Sequence, residues 1–293
     1  MAEATQSQPL SPAAPADFEI VQHSPSALLA GLVSAMVGYR EKLPGHVRQV
    51  EAASLTVPLV ISFGDPFAIG LGRTPGDNDR YGSFAAGLFA GPVLIDSFGT
   101  ASCLQINFTP LGARRFFGMP MSEIADRMVG LDDALGQDGM ALREQLANQP
   151  DWNRRFDLAE AFVVRKLAST NAPSREIEWA FDHILSRCGR VKIASIARSI
   201  GWSRKHLGKR FAQDIGLGPK TVARIVRFNH ALTLSRAGEN GGWAGIAAEC
   251  GYSDQAHLVR EFGELAGASP GAWSANGGWA GAGEHFFKLA HHR

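Results

Sequence analysis

A chain of 293 residues that is 45% hydrophobic and 19% charged has apolar side chains enough for two cores, which predicts two domains rather than one. Its net charge of +1 conceals an asymmetry: residues 174–275 hold 14 Lys+Arg against 9 Asp+Glu, residues 1–173 hold 13 against 18, so a polyanion-binding footprint belongs only to the C-terminal part. Cys103, Cys188 and Cys250 are scattered and lack metal-ligand spacing, and no apolar run nears the roughly 20 residues of a bilayer span, which argues against a disulfide framework, a metal cluster and a membrane partner.

Residues 1–18 are rich in Ala, Pro, Ser and Gln and read as a disordered tail. They lack the basic-then-apolar pattern of a signal peptide, so a cytoplasmic protein is expected. Residues 18–40 fit a strand or a helix equally well. From residue 47 to 108 the texture is of short strands broken by glycine. Leu55, Val57, Leu59, Ile61 and Phe63 alternate with Thr56, Pro58, Val60 and Ser62, the period of a half-buried strand. Gly64-Asp65-Pro66 breaks that strand, and residues 67–71 return as its hairpin partner. Residues 74–81 are a polar turn, and residues 83–89, 93–98 and 101–108 supply three more strands. Strands at this spacing predict a small barrel or sandwich.

An enzyme in this half would need a cluster of metal ligands, a nucleophile elbow or paired acids. Only His23 and His46 precede residue 174, with no His-x-His, and none of the other patterns occurs. No catalytic residue, metal ligand or cofactor is therefore expected. A barrel of this size holds one small molecule or is filled by its own side chains. The residues that would contact an effector are not identifiable.

Helical periodicity begins at Thr109-Pro110, with helices over residues 111–117, from Pro120-Met121-Ser122, over 140–146 and over 152–167. On the last of these Phe156, Ala159, Phe162, Val163 and Leu167 form an apolar stripe that packs on its own domain or pairs two copies. Residues 169–174 are polar with one proline and form the best linker in the chain. Ile177, Ala180, Phe181, Ile184 and Leu185 then follow i, i+3, i+4, i+7, i+8, a core face.

Residues 193–200 form a short helix, Gly201 a turn, and residues 203–213 a second helix that Leu207 and Phe211 anchor inward, leaving Arg204, Lys205, Gly208 and Lys209 outward. The pattern recurs. Ile196-Ala197-Arg198-Ser199-Ile200-Gly201-Trp202-Ser203 matches Ile246-Ala247-Ala248-Glu249-Cys250-Gly251-Tyr252-Ser253 at an offset of 50. One residue is then inserted, and His206-Leu207, Lys209, Phe211 and Pro219 match His257-Leu258, Arg260, Phe262 and Pro270 at an offset of 51. Gly251 is expected to turn through the left-handed region and Ser253 to cap the helix that follows. There Leu258 and Phe262 point inward, while Ala256, Val259, Arg260 and Gly263 point outward. Between the units, residues 219–236 read as a helix with Val222, Ile225, Val226, Ala231 and Leu232 on its apolar side. At about 1.5 Å per residue it spans roughly 27 Å, which suits two successive major grooves roughly 34 Å apart.

These residues resemble the AraC/XylS family of bacterial transcription regulators. The likeness rests on Gly251-Tyr252-Ser253-Asp254-Gln255, His257-Leu258, Arg260-Glu261-Phe262, Gly267 and Ser269-Pro270, and on Trp202-Ser203 and Gly218-Pro219-Lys220 in the first unit. Upstream, Asn107-Phe108-Thr109-Pro110-Leu111-Gly112-Ala113 and Phe63-Gly64-Asp65 look like a sensor domain in one branch of that family. The resemblance implies an α+β chain: a disordered tail at 1–18, a small cupin-like β-barrel at 19–118, a helical linker or dimerisation region at 119–172, an all-α double helix-turn-helix domain at 173–275 and a tail at 276–293. It implies an activator whose partners are double-stranded DNA, a small-molecule effector, RNA polymerase and a second copy of the chain. Carried over by position, Lys205, Gly208 and Lys209 face base edges and Ser203 and Arg204 lie near phosphate; Ser253, Gln255, Ala256, His257 and Arg260 are their counterparts. Gly208 departs from the family, which often has larger polar side chains there, and offers no base hydrogen bond. Arginine can pair with guanine O6 and N7, and glutamine with adenine. Two other readings stand beside this one: a constitutive DNA-binding protein with a purely structural barrel, and an enzyme fused to a DNA-targeting module, which would need a metal-held cysteine cluster. In the tail, His285, His291 and His292 fit either a metal site or a loosely docked segment.

Overall fold

The computed structural model describes residues 18–42, 45–170, 172–238 and 241–275. The tails expected at 1–18 and 276–293 lie outside the described residues, apart from Phe18.

Ten strands come first: β1 (Phe18–His23), β2 (Val33–Glu41), β3 (Val47–Glu51), β4 (Val57–Ser62), β5 (Phe67–Leu71), β6 (Arg80–Tyr81), β7 (Phe84–Ala86), β8 (Val93–Ser97), β9 (Ser102–Phe108) and, after a helix, β10 (Met128–Gly130). They form an antiparallel six-stranded sheet in the order β1-β2-β9-β4-β7-β10 and an antiparallel four-stranded sheet in the order β3-β8-β5-β6. Val37, Tyr39, Val60 and Phe84 of the larger sheet share one core with Phe67, Ile69 and Ile95 of the smaller, so the sheets are packed face to face. The N-terminal part is therefore β-rich as expected, with its strands in two sheets that do not close into a ring.

The larger sheet is covered on its other face as well. Met36, Leu59, Ile61, Leu104, Ile106 and Phe108 pack there with residues of the following helices. This corrects the half-buried reading of β4, because Val60 and Ser62 are as buried as Leu59 and Ile61. The expected hairpin of β4 with β5 is not formed either. Gly64 lies so close to Thr100 and Ser102 that a Cβ would clash with their backbone, and the chain crosses to the other sheet, where β5 pairs with β6 and β8.

The helices are α1 (Pro110–Phe117), α2 (Leu131–Ala147), α3 (Trp152–Ala168), α4 (Arg175–Ser186), α5 (Ile193–Ser199), α6 (Arg204–Ile215), α7 (Pro219–Ala237), α8 (Gly242–Glu249), α9 (Gln255–Ala266) and α10 (Pro270–Ala275). Thr109 caps α1 by accepting the Gly112 N–H. The segment expected to start a helix at Pro120 makes only a 3₁₀ turn, Met121–Glu123. The apolar stripe of α3 is buried against its own chain, beneath α1 and α2, so it is spent on folding. In α4 Ile177, Ala180, Phe181 and Ile184 face the core as expected, whereas Leu185, expected on the same face, is 37% exposed. No described helix is long and apolar enough to cross a membrane.

Candidate nucleic-acid interface

In the first unit Ile196 and Ala197 of α5 are buried, and Gly201 turns with φ +71°. A Cβ at Gly201 would touch nothing, so the backbone angle alone demands glycine there. The Trp202 N–H donates to the Ala197 carbonyl at 2.8 Å, and Ser203 caps α6 by accepting the His206 N–H at 3.1 Å. Leu207 and Phe211 have no exposure and hold α6 inward. Arg204, Lys205, His206 and Lys209 are left exposed on its N-terminal half, and Gly208 is half-buried with open space where a Cβ would project. His206 meets the Trp202 ring edge-on at 4.5 Å.

The second unit repeats this construction with one change. Ile246, Ala247 and Cys250 are buried, Gly251 turns with φ +74°, and the Tyr252 N–H donates to the Ala247 carbonyl at 2.9 Å. The cap, however, is Asp254 and not Ser253: the Asp254 carboxylate accepts the His257 N–H at 2.7 Å. In both units the capping oxygen lies three residues before the amide it accepts. The inserted residue makes Asp254, at the offset of 51, the counterpart of Ser203. Ser253 instead hydrogen-bonds the Asp254 side chain and lies 3.2 Å from His257 Nδ1. The backbone bond from His257, with the Ser253 hydroxyl, holds the Asp254 carboxyl below the ordinary range.

Leu258 and Phe262 are 1% exposed, with Phe262 ringed by Phe228, Trp243 and Trp273. Gln255, Ala256 and Arg260 are exposed and His257 half-buried. The structure thus places all ten sequence-predicted residues on the turn or N-terminal half of α6 or α9. Arg204, Lys205, Lys209 and Arg260 lie within ion-pair distance of no carboxylate among the described residues.

Sequence reasoning passed over the joint between α7 and α9. Glu261, adjacent to Arg260, is 4% exposed and accepts from Arg227 at 2.8 and 2.9 Å and from Arg224 at 2.9 Å. Arg224 also reaches Glu264, and the Arg227 guanidinium lies 4.4 Å over the Tyr252 ring. Burial alone would raise the Glu261 carboxyl, but the two arginines outweigh it and hold it below the ordinary range. The available signal was two like-charge pairs of opposite sign at i, i+3 spacing, Arg224 with Arg227 on one helix and Glu261 with Glu264 on the other. Beside this joint runs a groove of about 700 Å³ that brings Lys220, Arg224, His257 and Arg260 together. Cys103, Cys188 and Cys250 are unpaired thiols, and no group of three or more metal-ligating side chains occurs among the described residues.

Residues 196–276 match the family described as a helix-turn-helix domain, and residues 21–130 match one described as a domain of unknown function, DUF6597. Two relatives, both uncharacterized HTH-type transcriptional regulators of Staphylococcus aureus, are 32% identical over 73 residues and 30% identical over 81. These stretches cover 25% and 27% of this chain but only 10% and 11% of the relatives, so the chain spans about a tenth of the length of the curated proteins it matches. Among solved structures, ToxT from Vibrio cholerae is similar at 10% identity, covering 88% of this chain and 97% of its own with a TM-score of 0.44. The AraC-like transcriptional activator CuxR is similar at 15% identity, covering 76% and 88% with a TM-score of 0.26. Likenesses this distant carry no argument about mechanism. What carries it is the pair of units built from the same turn, the same anchors and the same outward face: the chain holds a helix-turn-helix domain over residues 196–276, on the same residues that resemble the AraC/XylS family.

Proposed function

We propose that the protein is a sequence-specific DNA-binding transcription regulator that lays α6 and α9 in successive major grooves. One observation carries the reading. The same helix pair is built twice, and each time the half of the second helix next to the turn exposes cationic and polar side chains, of which Arg204, Lys205, Lys209 and Arg260 form no ion pair among the described residues. In this reading Lys205, Lys209, Gln255 and Arg260 meet base edges. Ser203, Arg204, Ser253 and His257 contact the backbone, and Gly208 and Ala256 admit close approach. The 19 residues of α7 make a rod roughly 28 Å long, close to the groove repeat of roughly 34 Å.

The reading divides the chain into a sensor region at 19–118, a helical region at 119–172 and a DNA-binding region at 173–275, with RNA polymerase and a second copy as further partners. Sensing is supported by the interior between the sheets. Gln105 and Asn107 have no exposure; they bond each other at 2.7 Å, yet Gln105 Oε1 and Asn107 Nδ2 each lack a hydrogen-bond partner among the described residues. Buried amides left in this condition cost about 1–3 kcal/mol each, which a small ligand offering one donor and one acceptor would recover. A second reading, in which the sheets are purely structural, draws on the small opening at their edge, about 70 Å³. Thermal melting against a metabolite library separates the two, since only a sensor gains melting temperature with a ligand.

Salt titration of DNA affinity tests the main reading. With about six phosphate contacts, log affinity falls against log salt with a slope of about −5. Arg260→Ala should relax preference at one base pair by about 1–3 kcal/mol. A flat salt response, or an unchanged preference among sites, would refute direct readout.

A further inference from the structure

The two reading helices end alike. The offset of 51 that aligns their anchors also places Asp214 on Leu265 and Gly216 on Gly267. Both glycines are left-handed, with φ +100° and +72°, and both donate their N–H to a carbonyl four residues back, Ala212 and Gly263. The same end of each helix also touches the N-terminal part of the chain. On α6, Asp214 is 3% exposed and accepts from Arg114 of α1 at 3.0 Å, and a Cβ on Gly216 would lie 3.4 Å from the Met121 carbonyl oxygen. On α9, the Leu265 carbonyl accepts the Ala53 N–H at 2.8 Å, and a Cβ on Gly267 would lie 3.0 Å from the Pro92 ring. The exposed cations and Gln255 sit toward the opposite end of each helix.

We infer that the N-terminal part clamps both reading helices by these matching ends and so sets the spacing between the two heads, with Arg114 as a positioning residue for two-groove recognition. This rests on the DNA reading above. The helix α7 joins the heads along one line only, and a second, separate pair of fixed points removes the remaining freedom to twist or splay. The first anchor is a strong local constraint. A buried carboxylate that loses its guanidinium cannot stay buried unpaired, and among the described residues only Arg210, at 3.8 Å, lies within ion-pair distance of Asp214 besides Arg114. The second anchor has a regulatory side. Ala53 lies in the segment of Ala52, Ala53 and Ser54 that walls the opening between the sheets, so whatever fills that opening acts on the residue bonded to α9.

The test uses the full chain and duplexes it selects from a random pool, resynthesised with one or two base pairs added or removed between the two contacted grooves. The wild type should discriminate strongly against every altered spacing. Arg114→Ala should lose about tenfold of that discrimination, while its affinity for a duplex carrying a single half-site stays within twofold, and Arg114→Lys should restore most of the loss. Circular dichroism melting of both variants guards against simple unfolding, and in a folded Arg114→Ala the Ala53 amide should stay protected from hydrogen exchange. Unchanged spacing preference in a folded Arg114→Ala, or an Ala53 amide that exchanges freely in the wild type, would overturn the clamp and leave the DNA reading intact. A wild-type chain that enriches no duplex at all would overturn the DNA reading itself and the clamp with it.

Discussion

Replacing Glu261 by Gln probes how firmly the second reading helix is seated on the connecting rod. The carboxylate accepts from Arg227 through two short bonds and from Arg224 through one, at 4% exposure. Removing one partner of a fully buried ion pair costs about 3–5 kcal/mol. Here the arginine side chains are 30% and 17% exposed, Arg224 keeps Glu264, and glutamine retains one acceptor, so solvent and the remaining bond soften the loss. The expected destabilisation is about 2–3 kcal/mol. Urea unfolding followed by hydrogen exchange of the α9 amides measures it locally. Converting both partners, Glu261→Leu with Arg227→Met, should recover much of it, because an apolar pair leaves one fewer charge unpaired. The pH dependence has a fixed sign. The folded-state carboxyl is held below its ordinary value, so its contribution is complete above the unfolded value of about 4.3 and is lost as pH falls through the lower folded value. A Glu261→Gln loss below about 0.5 kcal/mol, the level of an exposed pair, would refute the reasoning.

Other substitutions separate local causes. Ser203→Ala and Asp254→Ala should each cost about 1 kcal/mol in urea unfolding, whereas Ser253→Ala should cost less than about 0.5 kcal/mol, since the serine is no longer the cap in the second unit. Gly208→Ala should stabilise α6 by about 0.5–1 kcal/mol, because the added methyl meets open space in a helix interior; a loss of stability would mean that face is packed. Phe262→Ala should cost about 3–5 kcal/mol by opening a cavity among Phe228, Trp243 and Trp273.

The helix-turn-helix units were legible because their signals are local. Glycine at a left-handed turn, a serine at the cap and a Leu-x-x-x-Phe anchor all act within a dozen residues, and the repeat doubled each of them. The exception is instructive: reading the cap at the offset of 50 picked Ser253, while the inserted residue had already handed the role to Asp254. Strand positions were also readable, but pairing was not. Nothing in Gly64-Asp65-Pro66 tells a hairpin from a crossing between sheets, and Val60 looked solvent-facing because alternation cannot reveal a second sheet on that side. The joint of Glu261 with Arg224 and Arg227, and the anchoring of Asp214 by Arg114, depend on how distant helices are set against each other, which no local pattern encodes.

Hydroxyl-radical footprinting of the full chain on a selected duplex tests the central claim most directly. Two heads held on one rod predict two protected segments centred about 10 base pairs apart on the same face of the duplex, with Lys205→Ala weakening one segment and Arg260→Ala the other. A single protected segment, or two on opposite faces, would contradict it.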